Sequence, residues 1–189
     1  MRVQVRPTAK TRQRRRRRRL IALTFYSAIV FGLAWVADTR GTTTIFFVGH
    51  AEVEGLGNLD CDSPLSRQGV ARAQKLADYM EYVDVVAGPN AIYATQCHRT
   101  QQTVAPLAKR IGLEVQIADP YDVVGFMKHV LSEHRHEIVL IATDADMLAP
   151  LVEELHGKEG ITDIAVNEVF TVVIPTYGKV KTYRSPYSE

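Results

Sequence analysis

Along residues 43 to 184 the hydrophobic positions follow either the period of a strand, about two residues, or that of a helix, about 3.6. The change from one period to the other predicts strands and helices in turn. Short apolar runs predict strands at 43–48, 91–94, 114–117 and 138–142, and a final hairpin at 168–175 and 179–183. Helical spacing of apolar residues predicts helices at 66–80, 99–111, 123–134 and 147–155. Strands that alternate with helices predict an α/β fold, a three-layer αβα sandwich around a mostly parallel central sheet.

Polar and glycine residues mark the ends of these helices. Ser66 is the predicted N-cap of the first, while Gly112 and Gly157 stand where C-terminal glycine caps are expected for the second and the fourth. The apolar face of the first helix is expected to be buried, and it consists of Val70, Ala73, Leu76, Ala77 and Met80.

The amino-terminal pattern is of a third kind. Residues 20–37 form a run of 18 without charge, and as a helix of about 27 Å this run is long enough to cross a thin hydrocarbon layer. It has neither an apolar stripe nor a polar face, which favours a transmembrane anchor over a buried core helix. A cleaved signal peptide is the competing interpretation, because a basic segment followed by an apolar one is typical of both.

Charge is divided sharply along the chain. Residues 1–19 hold ten of the 23 Lys and Arg and no acid, so the remaining 13 basic residues face all 21 acidic ones, a net charge of −8. Basic residues before the span predict a cytoplasmic amino terminus. We therefore expect a basic cytoplasmic tail (1–19), an anchor in the inner membrane (20–37), a linker (38–42) and an extracytoplasmic domain (43–189). The acidic domain argues against a nucleic-acid partner, although the arginine run alone is typical of one.

Candidate chemistry lies where predicted strands end. His50 follows the first strand and Asp144 follows the central strand, whereas Arg99 begins the helix after the second strand. The carboxyl ends of parallel strands meet at one edge of an α/β sheet, and ligands bind at that edge. This position predicts chemistry at His50, and the resemblance described next implies that Arg99 and Asp144 share its pocket.

These segments resemble the histidine phosphatase superfamily, whose founding members are phosphoglycerate mutases. The resemblance rests on His50, on Arg99 with the following Thr100, Gln102 and Thr103, and on the Leu65, Ser66 and Gly69 positions of the first helix. It implies that His50 attacks phosphorus to form a phosphohistidine and that Arg99 binds the phosphate. It implies no cofactor.

Two positions depart from the family pattern. Gly49 stands where the family has its first arginine, and Asp144 stands where it has a phosphate-binding histidine. Each unit charge about 4 Å from a phosphate matters at roughly 4 kcal/mol if the effective dielectric constant is about 20. A carboxylate beside His50 also favours the imidazolium form over the neutral ring that attacks phosphorus. The sequence thus predicts a pocket that holds a His50–Asp144 pair better than a phosphate.

Further residues complete the candidate set. Glu52 and Asp146 are candidate proton donors, and His98, Arg67 or Arg72 could supply charge from other positions. A metal site of His50, Asp144, His98 and a cysteine has suitable ligand types but no recognisable ligand spacing, so no metal is expected. His129, His134 and His136 are interpreted as a solvated turn.

Cys61 and Cys97 lie in two loops at the same predicted edge of the sheet. Export of the domain allows a disulfide between them. Two free cysteines are an equally weighted alternative. A bridge would tie together the loops around His50.

Three functions are compatible with these patterns. The first is a membrane-anchored pseudophosphatase that binds a ligand or an envelope protein, as Gly49 and Asp144 favour. The second is an active extracytoplasmic phosphomonoesterase that acts on a phosphorylated small molecule through His50. The third is a structural element of an envelope complex.

Overall fold

The computed structural model describes residues 9–39, 41–55, 61–81, 88–155 and 167–188. The chain divides into two compact units, Met1–Arg40 and Gly41–Glu189. Within the described residues the helices are α1 (Ala9–Thr39), α2 (Arg67–Glu81), α3 (His98–Ile111), α4 (Val123–Glu133) and α5 (Ala145–Glu154). The strands are β1 (Thr42–Gly49), β2 (Ala91–Ala94), β3 (Val115–Ile117), β4 (Ile138–Thr143), β5 (Glu168–Pro175) and β6 (Lys181–Pro186).

The first unit consists of helix α1, which runs for 31 residues through both the arginine block and the apolar segment. Its Arg17–Val36 portion has a mean hydropathy of 1.7 and exposed side chains, and it is long and apolar enough to span a membrane. Of the predicted linker at 38–42, Asp38 and Thr39 continue helix α1 and Thr42 already belongs to β1. Nothing in Asp38 or Thr39 breaks a helix. Residues 1–8 of the predicted tail and Arg40 lie outside the described residues.

The second unit is built on a six-stranded sheet in the order β3-β2-β4-β1-β5-β6. The four strands from β3 to β1 are parallel, and β5 and β6 extend the sheet as an antiparallel hairpin. The mostly parallel sheet predicted from the sequence is confirmed. Strands β1 and β4 are neighbours in the middle of the sheet, so their carboxyl ends lie side by side.

Each face of the sheet is covered by a pair of helices. Ile45, Phe47 and Ile141 pack with α4 and α5 on one face, whereas Phe46 and Val48 pack with α2 and α3 on the other. The period of two along each strand sends successive side chains to opposite faces. The three-layer αβα sandwich is therefore confirmed.

Most helix caps follow the prediction. The Ser66 hydroxyl accepts a hydrogen bond from the Gly69 backbone nitrogen at 3.1 Å, and Gly112 ends α3 in the left-handed region at φ 71°. Val70, expected in the buried face of α2, is instead 51% exposed. Strand β6 begins two residues later than predicted, and Gly157 lies outside the described residues.

Candidate functional site

The candidate site lies where β1 and β4 end. Gly49 is paired in register with Thr143, the last residue of β4. The next residues along the two strands are His50 and Asp144, so the parallel register alone brings the two side chains to the same edge. The structure places His50 Nε2 3.9 Å from Asp144 Oδ1.

His50 is oriented by its own loop. Its Nδ1 lies 2.9 Å from the carbonyl oxygen of Ala51, and because a carbonyl can only accept, Nδ1 carries the proton of this bond. In the neutral ring the unprotonated nitrogen is then Nε2, which faces Asp144. The ring therefore presents its basic nitrogen to the pocket, as a nucleophile must.

Helix α3 holds the loop that carries His50. The Ala51 backbone nitrogen donates to Thr103 Oγ1 at 2.9 Å, and that hydroxyl donates in turn to the carbonyl oxygen of Arg99 at 2.7 Å. Gln102 Oε1 accepts from the Leu65 backbone nitrogen at 2.9 Å. The side chains that follow Arg99 thus tie two loops of the site to the first turns of α3.

Arg99 and Asp144 form an ion pair within the pocket. Arg99 Nε donates to Asp144 Oδ1 at 2.8 Å, and the two side chains are only 9% and 15% exposed. The same carboxylate oxygen faces His50. The positive charge of Arg99 is therefore offset by a carboxylate in direct contact.

Asp144 occupies the N-cap position of α5 but does not use its side chain as a cap. Its backbone is extended, at φ −78° and ψ 152°, and its carboxylate makes no capping hydrogen bond. Aspartate at an N-cap usually accepts from the first turn of its helix. Here the carboxylate is directed to Arg99 instead, so its role lies in the pocket.

Beside this ion pair is a cavity of about 330 Å³. Arg99 and Asp144 form part of its wall, and the loop between β3 and α4 contributes Asp119, Pro120 and Tyr121. The Tyr121 side chain is 73% exposed. The cavity is large enough for a small organic ligand and is open to one.

A disulfide between Cys61 and Cys97 forms another part of the cavity wall. Cys97 is the N-cap residue of α3, and the next residue, His98, donates its backbone N–H to the carbonyl oxygen of Cys61 at 2.9 Å. The bridge fixes the loop of Cys61 against the beginning of the helix that carries Arg99. Of the two alternatives left by the sequence, the structure contains the disulfide.

The remaining predicted neighbours do not join the pocket. Glu52 forms a two-pronged ion pair with Arg72, whose Nε lies 2.7 and 2.8 Å from its two carboxylate oxygens. That pairing lowers the pKa of Glu52, which disfavours a proton-donor role and also occupies Arg72. His98 is exposed, and Asp146 is an exposed acid in the first turn of α5, where it favours the helix.

Residues missed by the sequence analysis are Thr143 and the loop residues Asp119 and Tyr121. The loop follows the carboxyl end of β3, at the same edge as His50, and this position could have identified it from the sequence as part of the site. Thr143 could not be identified from the sequence, because whether its hydroxyl finds a hydrogen-bond partner depends on residues that only the folded chain brings near it. Among the described residues, no group of three or more His, Cys, Asp or Glu side chains is arranged to hold a metal ion.

The fold and the site together define a histidine phosphatase-like domain. The family model of the histidine phosphatase superfamily (branch 1) matches residues 45–120, which include His50 and Arg99, so the resemblance stated from the sequence is confirmed. A comparison with curated proteins gave no match.

Solved structures of phosphatases share the fold. The protein histidine phosphatase SixA in complex with tungstate is 15% identical, with a TM-score of 0.63 over 76% of this chain and 97% of that one. A putative alpha-ribazole-5'-P phosphatase from Escherichia coli is 14% identical, with a TM-score of 0.60 over 76% and 96%. A putative phosphohistidine phosphatase SixA from Nakamurella multipartitia is 18% identical, with a TM-score of 0.55 over 72% and 87%.

Proposed function

We propose that this protein is a membrane-anchored histidine phosphatase-like domain with impaired catalysis, which acts by binding a ligand or an envelope partner. The observation that carries the proposal is the 2.8 Å contact between Arg99 Nε and Asp144 Oδ1. Phosphoryl transfer needs preorganised positive charge around the equatorial oxygens of the phosphate. In this pocket the arginine expected to supply that charge is paired with a carboxylate.

The position of Gly49 supports the same conclusion. The glycine at the end of β1 has no side-chain donor or charge, so the strand before His50 adds no cation to the pocket. A phosphate dianion beside His50 would also face Asp144, whose Oδ1 is 3.9 Å from Nε2. Repulsion between the two anions opposes the geometry that attack requires.

Helix α1 supports the anchoring part of the proposal. The Arg17–Val36 portion satisfies the length and hydropathy of a membrane span, and the basic residues precede it in the chain. Positive charge on that side favours a cytoplasmic amino terminus with the domain outside. Protease added outside intact cells should digest the domain and leave a membrane-bound amino-terminal fragment. A soluble extracytoplasmic protein that lacks residues 1–37 would indicate a cleaved signal peptide instead.

An active phosphomonoesterase remains the second candidate, and one observation favours it. The hydrogen bond from His50 Nδ1 to Ala51 directs Nε2 to the pocket, which is the orientation that a phosphohistidine mechanism uses. Structures of similar fold are named as phosphatases. A direct assay separates the two candidates.

The test is turnover of an aryl phosphate by the full chain in detergent micelles between about pH 4 and 8, the range in which carboxyl and imidazole groups titrate. We expect the wild type and His50→Ala to be equally inactive. Wild-type turnover that His50→Ala abolishes would overturn the proposal and establish the phosphomonoesterase.

A gain-of-function variant tests the reason for inactivity. Gly49→Arg combined with Asp144→His is expected to raise turnover by about 10²-fold or more, because it adds two donors aimed at the phosphate. Adding His50→Ala should remove the gain. The matched control is Gly49→Ala with Asp144→Asn, which deletes the carboxylate without adding a cation and should gain much less. Equal gains in the two double variants would show that repulsion by Asp144 alone limits the wild type.

A further inference from the structure

An open space adjoins the end of β1. Gly49 is buried, yet a Cβ added to it would meet no atom of the described residues within 4 Å, its two chain neighbours aside. Gly49 and its partner Thr143 follow Phe47 and Ile141 by two residues, so both project from the face of the sheet that α4 and α5 cover. The space therefore lies beside the Thr143 side chain.

Thr143 has an unsatisfied hydroxyl at this position. The residue is fully buried, at 0% exposure. Among the buried side-chain polar atoms of the described residues, its Oγ1 is the one without a hydrogen-bond partner. Buried hydroxyls are almost always paired, since leaving one unpaired is unfavourable. An N–H or O–H group placed in the space beside Gly49 would satisfy it.

The charges around the site favour a cation there. Asp144 is the next residue after Thr143, and its contacts with Arg99 and His50 are both made through Oδ1. The described walls of the neighbouring cavity carry the carboxylates of Asp119 and Asp144 against the single guanidinium of Arg99. Along these walls the carboxylates exceed the guanidinium by one negative charge.

We infer that the pocket binds a small molecule with a guanidinium group, which lies in the space beside Gly49 and donates to Thr143 Oγ1 and Asp144. The inference rests on the proposed function, because it names the ligand class of the same altered pocket. A guanidinium group is planar and carries several N–H donors in a fixed arrangement, so it can serve a hydroxyl and a carboxylate at once. A single buried water could satisfy Thr143 but would leave the excess negative charge.

The probe is methylguanidinium chloride, titrated into the full chain in detergent micelles and followed by saturation-transfer NMR and by the thermal unfolding midpoint. We expect saturable binding that stabilises the domain. Tetramethylammonium chloride is the matched control, since it has the same charge and no N–H donor, and it should bind much more weakly. Sodium phosphate at equal ionic strength should leave the midpoint unchanged.

Three variants assign the binding to these residues. Asp144→Asn, which keeps the shape and removes the charge, should weaken methylguanidinium binding about tenfold or more, and Thr143→Val should weaken it by about three- to tenfold. Gly49→Arg should abolish it, because the new side chain fills the space with its own guanidinium. Val70→Ala, at an exposed position of α2, serves as the control, with binding within about twofold of wild type.

The outcomes separate this inference from the proposed function. Absence of methylguanidinium binding, equal binding of both cations, or binding indifferent to Asp144→Asn and Thr143→Val would overturn the inference and leave Thr143 satisfied by water. None of these results affects the pseudophosphatase proposal, which fails only if the wild type shows turnover that depends on His50. Circular dichroism of each variant ensures that a loss of binding is not a loss of folding.

Discussion

Two histidines at opposite ends of the central strands are held in different ways. Both ring nitrogens of His134, which precedes β4, are engaged, with Nδ1 2.8 Å from Glu137 Oε2 and Nε2 2.9 Å from the Tyr93 hydroxyl. His50, at the carboxyl edge, makes one hydrogen bond within the described part of the chain, to its neighbour Ala51. A histidine with both nitrogens satisfied is part of the framework, whereas His50 keeps Nε2 for the pocket.

The two edges of the sheet that carry these histidines are also held together by different kinds of interaction. Burial raises the pKa of Tyr93, so its hydroxyl keeps its proton and forms a hydrogen bond with Nε2 of His134. The carboxyl edge is instead held by the Cys61–Cys97 disulfide and by the Arg99–Asp144 ion pair. The comparison indicates that the pocket edge is held by a covalent bridge and an ion pair, whereas the amino edge is held by hydrogen bonds to ring nitrogens.

Removing the disulfide should have the largest effect. The bridge closes a loop of 36 residues, and constraining a loop of this length in the unfolded chain contributes about 4 kcal/mol on the entropic account. Cys61→Ser with Cys97→Ser should lower the free energy of unfolding by about 3–4 kcal/mol, measured by urea unfolding of the domain. Reductant should destabilise the wild type and leave the double variant unchanged. Equal stability of the two proteins would contradict the prediction.

Breaking the pocket ion pair ranks second. Asp144→Asn leaves the buried Arg99 without its carboxylate, and we expect a loss of about 2–3 kcal/mol in unfolding free energy. Tungstate, an anion bound in a structure of similar fold, should restore part of this loss by pairing with Arg99. The wild type should show no tungstate stabilisation. A variant that is destabilised but indifferent to tungstate would argue against anion binding by Arg99.

The two histidines provide the third test. His134→Ala leaves the buried Tyr93 hydroxyl without its partner and should cost about 1–2 kcal/mol. His50→Ala removes one local hydrogen bond at a partly exposed residue and should change the unfolding free energy by less than about 0.5 kcal/mol. Thermal unfolding of both variants measures the contrast. A larger loss for His50→Ala would mean that His50 belongs to the framework.

The order of strands and helices could be predicted from the sequence because it depends on local periodicity. For the strand at 91–94, the predicted first and last residues are those of the structure. The edge positions of His50, Arg99 and Asp144 followed from parallel topology alone. The Arg99–Asp144 contact did not. The sequence pattern begins the last helix at 147, so it did not identify Asp144 as the N-cap of α5, nor show that its carboxylate bonds Arg99 rather than its own helix.

The histidines before β4 have more partners within the protein than the sequence analysis expected. Three histidines in a polar stretch are typical of a solvated turn, and His136 indeed adopts a positive φ of 64°. Their partners come from distant parts of the chain: Tyr93 for His134 and Thr176 for His136, at 2.9 and 3.0 Å. Contacts between residues far apart in the chain cannot be predicted from local spacing. For the same reason Glu52 was predicted to lie in the pocket, whereas it pairs with Arg72.

Among the changes expected to destabilise the domain, the smallest loss is predicted at the Glu52–Arg72 pair, which holds the loop after His50 against α2. Arg72 also bonds Ser188 Oγ at 2.6 Å and so ties the loop to the carboxyl-terminal segment. The pairing depresses the pKa of Glu52 below its ordinary value of 4.5. Its contribution is therefore full above that value and is lost as the pH falls through the folded-state pKa. Glu52→Gln should cost about 1 kcal/mol at neutral pH, because water reaches a quarter of the side chain and screens the charge. The difference from wild type should vanish in acid, and a difference that is constant with pH would show that packing, not charge, holds this loop.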